Sequence, residues 1–298
     1  MSINLRQIAK ISAVTATALC AATIAAPSQA DAFELKWLGL MQLQGEGNGT
    51  GGSVFDYRGI AIKDSGDTIT VAINGNMDLF GQEWGNGRNK KVINHGDLFF
   101  NFTGKSFKEA SDAGELMAIN FAQFGSETGA GSTGVYSGVT AKNTTTQNYG
   151  WNNLNSWKNA VKQNGQNNNS YGDLTSDSSY FAGQHSGSNK ILNAINTGTK
   201  VGNIMMMNND QLSSAGLDFG NFGVDGTKTL GFSFQKTAGF TAGSYIANLF
   251  MECGNDGVAI ASTLRPNADK KVPEPTLMLG LAGVSGLAMM RRRQQKKA

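Results

Sequence analysis

Asp67-Thr68-Ile69-Thr70-Val71-Ala72-Ile73 sets Ile69, Val71 and Ile73 on one side of an extended chain and Thr68, Thr70 and Ala72 on the other. Two-residue alternation of this kind belongs to a strand with one face in a core. Thr229-Leu230-Gly231-Phe232-Ser233-Phe234 repeats it, Leu98, Phe100 and Phe102 mark a third strand, and residues 245–253 mark a longer one. Turn chemistry separates these runs: Asp64-Ser65-Gly66, Asn74-Gly75, Asp225-Gly226 and Asn255-Asp256-Gly257. Strands spaced in this way predict an all-β body, an antiparallel sandwich or jelly roll.

Composition points the same way. The 298 residues include 39 glycines and only 4 prolines, with 16% charged side chains, which suits strands joined by Gly-punctuated turns better than a helical bundle. One stretch departs from the pattern. Residues 143–170 are rich in Asn, Thr and Gln, and Trp151, Leu154, Trp157 and Val161 recur there at helical spacing, predicting one short helix packed on the sheet. Asn167, Asn168 and Asn169 read as an exposed loop.

The formal net charge of +3 belongs to the ends of the sequence. Residues 33–271 carry 18 basic and 20 acidic side chains, so no basic footprint for nucleic acid is present. At the beginning, Arg6 and Lys10 precede an apolar run over residues 11–26 and then Pro27-Ser28-Gln29-Ala30-Asp31-Ala32. That order predicts a secretory signal peptide over residues 1–32, cleaved after Ala30 or Ala32. Leu19 stands before Cys20 where lipidation wants a small residue, so a lipid anchor is not expected.

Residues 272–298 form a second address. Val272-Pro273-Glu274-Pro275 is followed by 15 apolar residues, 276–290, and then by Arg291-Arg292-Arg293-Gln294-Gln295-Lys296-Lys297. The prolines break regular structure ahead of the apolar stretch. That stretch is short against the roughly 20 residues of a comfortable transmembrane helix, and the basic cluster would stay cytoplasmic, its long side chains snorkelling. The combination resembles the PEP-CTERM sorting signal. The resemblance implies that Pro273, Glu274, Pro275 and the arginines Arg291, Arg292 and Arg293 are read by a membrane-embedded exosortase, which cleaves near the motif. The chain would then be exported, transiently held in the inner membrane by its C-terminal helix, and released or attached at the cell surface. Three body segments, Tyr57-Arg58-Gly59-Ile60-Ala61, Gly96-Asp97-Leu98-Phe99-Phe100-Asn101-Phe102 and Glu252-Cys253-Gly254-Asn255-Asp256, are also similar to bodies of exosortase-sorted surface proteins. That likeness implies no established activity.

Motifs for catalysis are sparse. Gly47-Asn48-Gly49-Thr50-Gly51-Gly52 fits a dinucleotide pattern, but strand-like Ser53-Val54-Phe55-Asp56-Tyr57 follows it instead of a helix, so a surface loop is the better reading. His95 and His185 sit in turn- and Gly/Ser-rich contexts and read as solvated loop residues. No G-x-S-x-G elbow and no zinc-ligand spacing is present. Cys253 is the lone cysteine of the body and reads as a buried thiol ending a strand with Leu249 and Met251. No cofactor is expected except, as an open case, calcium on the oxygen-rich turns Asp64–Asp67 and Asn255-Asp256.

Trp37, Trp84, Trp151 and Trp157, with Tyr149 and Tyr171, are candidates for a sugar-binding platform, with core packing as the default for large aromatics. The expectation is a non-catalytic surface or matrix protein that associates with extracellular polysaccharide. The alternatives are a secreted carbohydrate-active enzyme, whose two carboxylates would lie about 5–10 Å apart, and a self-associating coat protein.

Overall fold

The computed structural model describes residues 36–37, 50–122, 126–166, 169–222 and 226–266. The signal segment 1–32, the sorting residues Pro273, Glu274, Pro275, Arg291, Arg292 and Arg293, and Asn167, Asn168 and Asp225 lie outside them.

Thirteen strands are found among the described residues: β1 (Lys36–Trp37), β2 (Tyr57–Asp64), β3 (Thr68–Gly75), β4 (Gln82–Trp84), β5 (Lys91–Ile93), β6 (Leu98–Asn101), β7 (Leu116–Asn120), β8 (Gly134–Lys142), β9 (Ala194–Gly202), β10 (Ile204–Met207), β11 (Lys228–Gln235), β12 (Gly243–Phe250) and β13 (Gly257–Leu264). One sheet has the order β1-β2-β3-β11-β10, a second β13-β12-β6-β7-β8-β9, and β4 pairs with β5 as a separate hairpin. Every pairing between these strands is antiparallel.

The alternation seen in the sequence is the register of the first sheet. Ile69, Val71 and Ile73 of β3, with Phe232 and Phe234 of β11, enter one core together with Leu98 and Phe100 of β6, Ile119 of β7 and Leu249 of β12. The two large sheets therefore share a core, in a sandwich-like arrangement. On the other side of the first sheet, Ala61 and Ala72 are small enough for Leu212, Leu217 and Phe219 to cover them.

The central strands β6 and β7 of the second sheet are buried on both faces, while its edge strand β9 is largely exposed. Phe99, Leu116, Ala118 and Ala259 point away from the shared core into another, built with Phe107, Leu154, Trp157, Val161, Tyr171 and Phe181. This explains the uninterrupted Leu98-Phe99-Phe100 run, since a strand covered on both sides gains nothing from a polar face. The covering layer is held by the Asn-rich segment and two helices, α1 (Phe107–Asp112) and α2 (Leu154–Gln163). Asn153 caps α2, its side chain accepting from the Ser156 N–H at 2.9 Å.

Three features depart from expectation. A third helix, α3 (Asn209–Ser214), and α1 join the one that was predicted. Each is six residues long, too short to show a helical stripe, and is started by a reciprocal cap, Ser106 with Glu109 and Asn208 with Gln211. Asn74-Gly75 is the end of β3 rather than a turn: the Asn74 amide donates to the carbonyls of Gly226 and Lys228, both at 3.2 Å, and fastens the approach to β11. The strand predicted over residues 245–253 ends at Phe250, and Met251 continues as a single bridge to His95.

Candidate functional site

The chemistry-bearing side chains of the body gather where three segments cross: residues 94–97 between β5 and β6, residues 251–256 between β12 and β13, and residues 193–195 entering β9. Backbone bonds lace the crossing. Gly96 N–H donates to the Phe250 carbonyl at 2.9 Å, Asp97 N–H to the Asn193 carbonyl at 3.0 Å, and Glu252 N–H to the Asn94 carbonyl at 3.0 Å. Gly96 is required by this closeness, since a Cβ there would stand 2.2 Å from the Asn193 oxygen and 2.5 Å from that of Phe250. Asn193 adds a side-chain clamp, accepting from Thr144 N–H at 2.9 Å and donating to the Met251 carbonyl at 2.9 Å.

Three carboxylates sit inside the crossing. Asp97 accepts from the Asn120 amide at 2.8 Å, the Thr128 hydroxyl at 2.7 Å and the Ile195 N–H at 2.6 Å. Glu252 accepts from Asn94 N–H at 3.0 Å, Ser126 hydroxyl at 3.0 Å and Glu127 N–H at 2.5 Å. Asp256 accepts from Tyr57 N–H and Gly257 N–H, each at 2.8 Å. Both oxygens of all three carboxylates thus receive protein donors, most of them backbone amides. This is the pattern of groups that replace missing sheet bonds where the chain cannot form a ladder.

Burial governs their electrostatics. Loss of solvent raises Glu252 to about 7 and Asp256 to about 8, the latter helped by the neighbouring Asp56 charge. Burial likewise pushes the Cys253 thiol up to about 12, leaving it protonated and unreactive. His95 moves the other way, down to about 4, because the protein around it disfavours a charged ring. Its partners fix the tautomer. The Asp78 carbonyl, 3.1 Å from Nε2, can only accept, so Nε2 carries the proton and Nδ1 accepts from the Tyr57 hydroxyl at 2.7 Å.

His95 is therefore not the solvated loop residue its sequence context predicts; it is 2% exposed and ringed by Tyr57 and Phe121. A turn-forming neighbourhood says nothing of what packs over the turn. His185 is half-buried, its Nε2 2.7 Å from the Ser176 carbonyl, which ties two loops together. Cys253 is a buried thiol and shares the inter-sheet core with Leu249 and Met251, as their alternation requires.

The oxygen-rich turns are engaged by protein donors. Asp64 meets Lys236 Nζ at 2.6 Å and the Arg265 N–H at 2.9 Å, while Asp256 is one of the buried three. Among the described residues no group of three or more His, Cys, Asp or Glu side chains is placed to hold a metal ion. The described part of the Gly-rich motif, Thr50-Gly51-Gly52, leads into a one-turn 3-10 helix, Ser53–Phe55, and then β2, rather than into the α-helix that a dinucleotide site needs.

The six candidate aromatics divide. Trp157 and Tyr171 stack 4.7 Å apart in the outer core, and the Trp157 indole N–H donates to the Asn255 carbonyl at 2.8 Å. Trp151 is half-buried against the same core. The Trp37 side chain lies outside the described residues. Of the five whose side chains are described, Trp84 and Tyr149 are the exposed ones, at the β4–β5 hairpin, with Phe80 just ahead of it.

Sequence reading passed over Asp97, Asn193 and Glu252, the residues that organise the crossing. The signal for Asp97 and Glu252 was present as polar clusters, Asn94-His95-Gly96-Asp97 and Glu252-Cys253-Gly254-Asn255-Asp256, next to apolar strands, while Asn193 had none. What it could not reveal was that the clusters face each other. No protein-family model, curated protein or solved structure matches this chain.

Proposed function

We propose that this chain is an exported, exosortase-sorted surface or matrix protein whose antiparallel β-sandwich body, residues 33–271, binds without catalysing and associates with extracellular polysaccharide. The observation that carries the reading is the ordered tail: Pro273-Glu274-Pro275, an apolar stretch over 276–290, then Arg291-Arg292-Arg293. A signal-peptide pattern over residues 1–32 supports the same route.

The body's chemistry favours binding over hydrolysis. A general acid or nucleophile needs a carboxylate oxygen free to meet substrate, whereas the oxygens of Asp97, Glu252 and Asp256 are engaged by protein donors. The surface, in contrast, offers exposed aromatic rings.

Intact-mass measurement of protein recovered from the cell surface and the medium tests the sorting. Loss of both residues 1–30 or 1–32 and the segment beyond about Pro273–Thr276 is expected. A mass retaining residues 276–298 would mean a simple anchored protein and would overturn the exosortase reading.

A further inference from the structure

The β4–β5 hairpin carries chemistry that the buried crossing lacks. Trp84, at the end of β4, is 44% exposed, its ring lying at 80° to that of the buried Phe55 with centroids 5.3 Å apart. Tyr149, 52% exposed, arrives on a different loop that is held against the same hairpin at two points. Its phenol donates to the Asn89 carbonyl, and Lys91 Nζ donates to the Gln147 carbonyl at 2.7 Å. Gly85, next to Trp84, leaves the room for this: a Cβ there would stand 2.7 Å from the Asn89 oxygen and 3.2 Å from the Tyr149 hydroxyl.

Tyr149 is also the one non-glycine among the described residues with a positive φ, 58°. Holding a tyrosine in the left-handed region costs energy, and such strain persists where the surroundings over-determine the geometry. Here it holds a half-exposed tyrosine at the hairpin, its hydroxyl close to Gly85, the residue that follows Trp84.

Charge selects the occupant. The body as a whole carries 20 acidic against 18 basic groups, yet residues 82–93 hold Arg88, Lys90 and Lys91 against Glu83 alone. Lys90 pairs with Glu83 at 3.1 Å, and Lys91 lies 3.9 Å from Glu127. Arg88, at the tip, is exposed and makes no ion pair among the described residues.

We propose that Trp84, Tyr149 and Arg88 form a binding site for an acidic polysaccharide, its sugar rings stacking on the two aromatic faces and a uronic carboxylate meeting the Arg88 guanidinium. Aromatic faces match the apolar C–H faces of pyranose rings, and a guanidinium fork matches a carboxylate. Because both rings are pinned before binding, little side-chain order remains to be imposed. The inference rests on the polysaccharide part of the proposed function and names its site.

Affinity electrophoresis of the full chain through gels holding polygalacturonate, dextran or polyglutamate tests it. The basic tail is common to all variants, so the readout is the difference between them. Wild-type chain is expected to be retarded most by polygalacturonate, with Trp84→Ala and Tyr149→Ala each weakening retention about tenfold. Arg88→Glu should weaken retention on polygalacturonate while leaving dextran unchanged, and as an exposed position it keeps the test valid if Trp84→Ala loosens Phe55. Equal retention of Trp84→Ala and wild type, or equal retardation by polyglutamate, would overturn the site. Tail processing is scored separately by mass, so an unprocessed chain whose binding depends on Trp84 would break the sorting reading and leave this one intact.

Discussion

Trp84 and His95 lie eleven positions apart on opposite sides of β5, and their surroundings are opposite in kind. Around His95, polar groups are enclosed: Asp97, Glu252 and Asp256 are buried with both carboxylate oxygens bonded, and the histidine is neutral. Around Trp84, apolar groups are displayed, and Arg88, Lys90 and Lys91 follow in the same hairpin. The residue types usually searched for catalysis hold loops together, while those usually assigned to a core face the solvent. Composition of a segment does not decide which side it takes. What decides is whether strands cover it, because a buried polar group must find partners and an exposed aromatic need not.

The contrast can be broken most forcefully at Trp157, which fills the outer core and donates to Asn255 beneath the crossing. Trp157→Ala should cost about 3–5 kcal/mol, seen as a lower urea midpoint with little change in slope. A loss under about 1 kcal/mol would mean that the covering layer is not integral to the fold.

Next is Asp97→Asn, nearly isosteric but with one acceptor turned into a donor. Three donors converge on Asp97, so one of them, or the new amide, is left facing another donor. The expected cost is about 1–3 kcal/mol by thermal or chemical unfolding.

A pH series sharpens the comparison without disturbing packing. Glu252, held near 7 when folded against about 4.3 in an unfolded chain, binds its proton more tightly in the native state. Its contribution is complete below about pH 4.3 and is lost as pH climbs toward about 7; Asp256 extends the loss toward about 8. His95 has the opposite slope, costing stability as pH falls from about 6.5 toward about 4. Burial also raises Asp97, so with three acids against one base the melting temperature should decline as pH rises from about 5 to about 8. Glu252→Gln should flatten that decline below about pH 7 even if it lowers the midpoint throughout, and an unchanged slope would show that Glu252 is already ionised in the native protein.

The smallest effect on stability belongs to the hairpin. Trp84→Ala should shift unfolding by no more than about 1 kcal/mol, most of it from the edge contact with Phe55. A large loss of stability there would move Trp84 into the same class as Trp157 and remove the contrast.

Part of the strand layout, β3, β6, β11 and β12, was legible from residues alone. Ile69, Val71 and Ile73, and Phe232 and Phe234, announced both a strand and its inward face, because a sheet with one wet side must alternate. The Trp151-to-Val161 spacing announced α2 for the equivalent reason at helical period. The six-residue helices stayed hidden because they are too short for a period to show, and Asn74-Gly75 misled because an Asn side chain that mimics a turn can equally bond to the backbone of a neighbouring strand.

By itself, then, the sequence determined an antiparallel β-rich body, the inward residues of its clearest strands and a lone buried thiol, all consequences of local periodicity and composition. Only the tertiary structure decided that Asp97, Glu252 and Asp256 share one enclosed crossing, that His95 is buried and neutral, and that of the five candidate aromatics described Trp84 and Tyr149 are exposed. Those outcomes depend on contacts such as Tyr57 with Asp256 or Asp97 with Ile195, between residues about 200 and about 100 positions apart. No local pattern encodes such pairings; they follow from which strands become neighbours when two sheets close on a common core.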